Sequence, residues 1–152
     1  MEAKQTFFEW EKQFVLGIPL IDRQHEKLIQ LTKNLHFTYL QSTETASHHF
    51  IDAAHEVVDL LRQHFSNEEK LMLLFDFPEY AEHKKEHENF VMEILNQARR
   101  FSLSSYLTPY RFIRSIKEWA SSHIEVFDKK AADFVLSMKN HDDVEQFFPD
   151  PA

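Results

Sequence analysis

The sequence predicts an all-α protein, an up-down-up-down four-helix bundle with an N-terminal arm and a short C-terminal helical extension. The 152 residues include a single glycine, so the chain has almost none of the positive-φ turns that a sheet protein needs. Apolar residues recur every three or four positions in four long segments, the pattern of helices that each bury one stripe. Four such helices of about 20 residues with short connections most simply form a bundle of alternating directions.

The first two helices are predicted at residues 19–39 and 45–75. Pro19 suits the first turn of a helix, where a backbone N–H would have no partner. Phe77-Pro78 ends the second helix because the residue before a proline avoids the helical conformation. The side chains expected to face inward are Ile21, Leu28, Leu31 and Leu35 in the first helix, and Ala54, Val57, Leu61, Leu71 and Phe75 in the second.

The third helix is predicted at residues 79–101, and the fourth opens at Thr108-Pro109, an N-cap residue followed by a proline at the first helical position. A shorter segment at residues 131–138 extends the fourth helix. We therefore expect one domain, with an arm at 1–17, the bundle at 18–140 and a tail at 141–152. The inward side chains are Tyr80, Phe90, Ile94 and Ala98 in the third helix, and Phe112, Ile116, Trp119 and Phe127 in the fourth.

Composition excludes several classes of protein. The chain has no cysteine, so it forms no disulfide, thiolate zinc site or iron–sulfur cluster. A net charge of -8 argues against nucleic acid as a partner. The N-terminus lacks a signal pattern, and the longest apolar stretch, residues 14–21, is far shorter than the roughly 20 residues of a membrane span. We expect a cytoplasmic protein with no membrane insertion.

Five histidines and one glutamate occupy positions that the helical pattern places in the core. Because the helix directions alternate, all six come to the same end of the bundle. Burying them without partners would cost a few kcal/mol each, and a metal ion would satisfy them. Imidazole and carboxylate ligands suit iron, zinc, copper or nickel. The six candidate ligands are His25, His64, Glu68, His83, His87 and His123.

The other polar side chains are interpreted as ordinary surface groups. We interpret Asp22 as an acidic residue that stabilises the start of the first helix. The alternative is that it accepts a hydrogen bond from a metal ligand. The remaining residues expected to be solvated are His36, His48, His49, His55 and His141, together with an acidic face made by Glu69, Glu82, Glu86 and Glu88.

Two common metal motifs are excluded. No His-Glu-x-x-His occurs, which argues against a zinc protease, and no histidine follows a glutamate by three residues, which argues against a ferritin-like di-iron carboxylate bundle. A histidine-rich site remains. Its motifs, in order, are Gly17-Ile18, Ile21-Asp22, Gln24-His25, His64-Phe65, Glu68-Glu69, Leu71-Met72, Phe77-Pro78, His83, His87, Trp119, His123-Ile124 and Asp128.

In these motifs the chain resembles the hemerythrin family, over roughly residues 7 to 138. The resemblance implies two iron ions bridged by an oxide or hydroxide and by Glu68 and Asp128. It assigns His25 and His64 to one iron, and it assigns to the other iron His83, His87 and His123. The iron with three histidines would be six-coordinate, and the iron with two would have one open position.

The resemblance implies reversible binding of dioxygen at that open position, for oxygen carriage, storage or delivery, without catalysis. Trp119, Ala120 and Leu28 are expected to line the oxygen pocket, and Ala120 stands where a larger aliphatic residue is usual. Two other functions stay open: an oxygen or redox sensor acting on a partner protein in trans, and a di-iron redox enzyme of peroxide or nitric oxide chemistry. Candidate docking features for a partner are Phe7, Phe8 and Trp10 in the arm, and Phe147-Phe148-Pro149 in the tail.

One spacing does not suit a regular helix. His123 and Asp128 are five residues apart, which at about 100° per residue leaves them about 140° out of line. Both are expected to bind the same pair of metals, so the sequence predicts a π-bulge or local break between them.

Overall fold

The computed structural model describes residues 14–40, 44–99 and 107–138. Predictions for residues 1–13, for the tail and for His141 lie outside the described residues, and so does the side chain of His48. The helices are α1 (Pro19–Leu40), α2 (Glu44–Leu74), α3 (Tyr80–Arg99), α4 (Leu107–His123) and α5 (Lys129–Met138), with a π-helical turn at Ile124–Asp128 that joins α4 to α5.

The helices form the predicted bundle. Helix α1 packs beside α2 and α4, and α3 packs beside the same two helices, which closes a ring of four with alternating directions. Helix α5 continues α4 through the π-turn and confirms the predicted extension. Thr108 is not an N-cap, because Leu107 is already helical; the sequence pattern placed this helix start too late. None of the described helices has a stretch long and apolar enough to cross a membrane.

Most of the predicted inward side chains form one hydrophobic core, which does not include Tyr80 or Phe127. Twelve of them are buried: Ile21, Leu28, Leu31, Leu35, Ala54, Val57, Leu61, Leu71, Phe90, Ile94, Phe112 and Ile116. A second cluster, which the sequence did not predict, joins Met72 and Phe77 to Ala131 of α5. Phe134 completes it with an edge-to-face contact on Phe77. This cluster holds α5 against the turn between α2 and α3.

Asp22 fixes the segment that enters α1. Its carboxylate accepts hydrogen bonds from the backbone N–H groups of Leu16, at 2.8 Å, and Gly17, at 3.2 Å. The side chain thus acts at the helix start, as favoured from sequence, by holding the preceding turn. Gly17 has φ +93°, a conformation that other residues adopt only with strain.

Replacing Gly17 by alanine is expected to lower the free energy of unfolding by about 1–3 kcal/mol, because the backbone conformation would be strained. The added Cβ would also lie 3.0 Å from Cδ1 of Leu136. Urea denaturation measures the change, and Val15→Ala, at a neighbouring exposed position, is the control. Equal unfolding midpoints for Gly17→Ala and the wild type would contradict the prediction.

Candidate metal centre

All seven residues predicted as ligands lie together in the structure. Helix α1 contributes one histidine, α2 a histidine and a glutamate, α3 two histidines, α4 its last residue, and the π-turn its final aspartate. None of these residues has an exposed fraction above 4%. These seven residues are His25, His64, Glu68, His83, His87, His123 and Asp128.

The cluster divides into two overlapping groups of donor atoms. His25, His64 and Asp128 form the smaller group, and Asp128 also belongs to the larger one, which is completed by Glu68, His83, His87 and His123. Oδ2 of Asp128 lies 2.8 Å from Nε2 of His25, and Oδ1 lies 3.0 Å from Nε2 of His83. The carboxylate therefore offers one oxygen to each group.

Glu68 has a similar position on the opposite helix. Its Oε1 lies 3.2 Å from Nε2 of His83, in the larger group, and its Oε2 lies 3.2 Å from Nε2 of His64, in the smaller group. Two carboxylates thus extend between a group of three histidines and a group of two, an arrangement that can hold two metal ions close together.

The spacing of the donor atoms fits octahedral ions. Adjacent ligands about 2.1 Å from an octahedral ion are about 3.0 Å apart, whereas around a tetrahedral ion they are about 3.4 Å apart. The Nε2 atoms of His25 and His64 are 3.0 Å apart, and Nε2 of His123 lies 3.1 Å from that of His83 and 3.0 Å from that of His87. This spacing is closer to that of an octahedral ion than to that of the tetrahedral coordination typical of structural zinc.

The negative charges of the two buried carboxylates also favour binding of a cation. Burial lowers the pKa of a histidine, but hydrogen bonds to Asp128 and Glu68 and their charges outweigh it and raise the pKa of His64 to about 9. The same balance raises the pKa of His83 to about 10. Burial followed by the charges of His123 and His83 lowers the pKa of His87 to about 2. The two carboxylates therefore attract positive charge to a place where a neutral imidazole is also available as a ligand.

The π-turn brings His123 and Asp128 to the same face. Residues Ile124–Asp128 are π-helical, which confirms the predicted irregularity. A π-turn takes up one extra residue, so the five-residue spacing is brought back into line. As a result, Nε2 of His123 lies 2.9 Å from Oδ1 of Asp128.

Two residues outside the cluster hold the outer nitrogens of ligand histidines. Gln24 Oε1 lies 2.8 Å from Nδ1 of His64, and Glu69 Oε2 lies 3.2 Å from Nδ1 of His87. The interpretation of Glu69 as solvated was therefore wrong, because it is half-buried and burial raises its pKa. Its position directly after Glu68 was the available signal.

The three other ligand histidines have free outer nitrogens. The Nδ1 atoms of His25, His83 and His123 have no hydrogen-bond partner among the described residues. Aromatic contacts hold His123 instead: Trp119 stacks on one side of its ring at 4.1 Å between centroids, and Phe127 stacks on it at 5.2 Å.

The three residues expected to line the oxygen pocket differ in how deeply they are buried. Leu28 and Ala120 are fully enclosed in the core, with exposed fractions of 2% and 0%. The ring of Trp119 is half-buried and contacts His87 and His123, both in the three-histidine group.

Some of the polar residues predicted to be solvated are exposed in the structure, and others are half-buried. His49 and His55 are exposed, as are Glu82 and Glu88, which confirms those predictions. His36 and Glu86 are half-buried, so the sequence pattern overstated their exposure. Burial, with the charge of Lys117, lowers the pKa of His36.

The fold and the donor set together define a helical bundle with a buried histidine and carboxylate cluster able to hold metal ions. Residues 16–146 match the model of the hemerythrin HHE cation binding domain. The chain therefore belongs to the hemerythrin family, whose metal is iron.

Named relatives agree with the family match. A bacteriohemerythrin of Stenotrophomonas maltophilia is 30% identical over 86% of this chain and 83% of its own length. A hemerythrin-like protein of Naegleria gruberi is 28% identical over 81% of this chain and 89% of its own length. A bacteriohemerythrin of Pseudomonas aeruginosa is 32% identical over 60% of this chain and 58% of its own length.

Proposed function

We propose that this protein holds two bridged iron ions and binds dioxygen reversibly, for oxygen carriage, storage or delivery. The observation that carries the proposal is the position of Asp128, whose two oxygens face histidine groups of unequal size. Three histidines would complete the shell of one ion, whereas two would leave a position open on the other. When bound, the ions supply the electrons and the coordination position that dioxygen needs.

The chain's own residues would supply the ligands and form the apolar surroundings of the ions. Glu68 and Asp128 would bridge the ions, with the smaller histidine group made by His25 and His64 and the larger by His83, His87 and His123. An apolar wall borders the two carboxylates, which lowers the local dielectric constant and strengthens the interactions between charges there. This wall consists of Ile18, Ile21, Leu71, Met72, Ala131, Ala132 and Val135.

A visible absorption spectrum tests the function. The protein would be loaded with iron, reduced without oxygen and then followed through cycles of air and argon. We expect a charge-transfer band that appears in air and vanishes under argon. A change that is irreversible on first exposure to air would contradict reversible binding and favour a redox enzyme or a sensor. Uptake of two zinc ions and no iron would contradict the proposal that the protein binds dioxygen.

Enlarging the side chain at position 120 is expected to slow autoxidation. The family resemblance places Ala120 in the oxygen pocket, and its side chain is fully buried. If alanine leaves room there, a leucine would occupy the space in which water or small anions help to displace reduced oxygen species. We expect Ala120→Leu to lose its oxygen-dependent band several-fold more slowly than the wild type in air. Ala81→Leu, at an exposed position, is the control. An unchanged rate in a folded, iron-loaded Ala120→Leu protein would contradict the prediction.

A further inference from the structure

The two groups of ligand histidines differ in the side chain that accepts a hydrogen bond from an outer ring nitrogen, Nδ1. All five imidazoles direct Nε2 into the cluster, which leaves Nδ1 pointing away from it. Among the described side chains, two supply a hydrogen-bond acceptor to such an Nδ1, one for each group: Gln24 for His64 and Glu69 for His87. One acceptor is a neutral amide and the other is a carboxylate.

Both contacts are built into the fold. Gln24 is on α1, has an exposed fraction of 9%, and reaches across to His64 on α2. Glu69 is on α2, has a side chain 20% exposed, and reaches across to His87 on α3. The face of the His87 ring is also covered, since Phe65 stacks on it with ring centroids 4.0 Å apart. Each of these two imidazoles is thus held in a fixed orientation.

The charge of the acceptor changes the imidazole as a ligand. A carboxylate that accepts a hydrogen bond from Nδ1–H makes Nε2 a stronger donor toward a cation, and it brings a negative charge near that cation. A neutral amide orients the ring equally well but supplies no charge. His87 is therefore the better supported ligand, and it belongs to the group that already has three histidines.

We propose that Glu69 is a positioning residue that makes the three-histidine group the stronger metal site, while Gln24 leaves the two-histidine group the weaker one. The chain then loads its ions in order, first beside His87 and then beside His64. This inference rests on the proposed two-metal function, and it adds to that function an order of binding set by two residues outside the ligand set.

Cobalt(II) titration of the metal-free protein tests the order. Calorimetry with a competing chelator gives the two binding constants, and visible absorption follows the coordination of each ion. We expect two separate steps in the wild type. Glu69→Gln keeps the shape of the side chain and removes its charge, and we expect it to weaken the tighter step about 10- to 100-fold while the weaker step is unchanged.

Two further variants sharpen the test. Gln24→Glu places a carboxylate behind His64 and is expected to strengthen the weaker step, so that the two constants approach each other. Glu88→Gln removes one negative charge next to His87 from a side chain that is 62% exposed, and it is expected to change neither step. This control separates a charge at hydrogen-bond distance from the net charge of the surface.

The possible failures are distinguishable. If Glu69→Gln binds two cobalt ions with the same two binding constants as the wild type, the proposed order of binding is wrong, but the two-metal function is not contradicted. Equal weakening of both steps, with a lower melting temperature of the metal-free variant, would show that Glu69 supports the fold and would also overturn it. Wild-type protein that binds a single cobalt ion would overturn the proposed two-metal function.

Discussion

Removing the metal ions is expected to lower the melting temperature by on the order of 10 °C. Buried carboxylates and converging imidazoles destabilise a fold unless a cation compensates them, so binding free energy contributes directly to folding. Free metal at about 1,000 times its dissociation constant stabilises by about 4 kcal/mol, and each kcal/mol shifts the melting temperature of a domain of this size by about 2–4 °C. Circular dichroism of chelator-treated and iron-loaded protein measures the difference.

Magnesium provides the control for this experiment. Mg²⁺ prefers oxygen ligands and retains its water, so a site with five histidines should not take it up. We expect magnesium to leave the melting temperature of the metal-free protein unchanged and ferrous iron to restore it under anaerobic conditions. Metal-free protein that melts no lower than the loaded form would contradict the prediction.

Replacing Asp128 by asparagine is expected to reduce the metal content from two ions to at most one. Asp128, like Glu68, has oxygens that face both histidine groups, and it is 1% exposed. Nearby imidazoles hold its pKa well below the usual value, although burial acts in the opposite direction, so it is a carboxylate in the folded protein. Asparagine keeps the size of the side chain but removes the charge that two adjacent cations share.

Elemental analysis after gel filtration measures this change. The remaining ion is expected at the group of three histidines, which keeps Glu68 as its carboxylate ligand. Glu125→Gln is the matched control, because Glu125 is an exposed acid in the same π-turn. Two ions per chain in Asp128→Asn, as in the wild type, would show that Asp128 is not needed to hold the pair.

Helical periodicity correctly predicted the fold and the general position of the site. Repeats of three and four residues located the helices to within about two residues at most boundaries and placed His25 and His64 on inward faces. Even the irregular spacing of His123 and Asp128 predicted the π-turn, because a departure from the period is itself visible in a sequence. The pattern was weaker for Glu69, which lies beside a buried ligand on the helix.

The sequence by itself determined which residues lie inside, because burial follows from the period of a helix and from the apolar residues that share a face. The sequence also indicated that the polar ones converge at one end of the bundle, but only the tertiary structure decided which of their atoms are in contact. His64 and Gln24 are 40 residues apart, and His25 and Asp128 are 103 apart. Their contacts depend on how far each helix is rotated and shifted against its neighbours, which the packing of the whole core sets and no local pattern records.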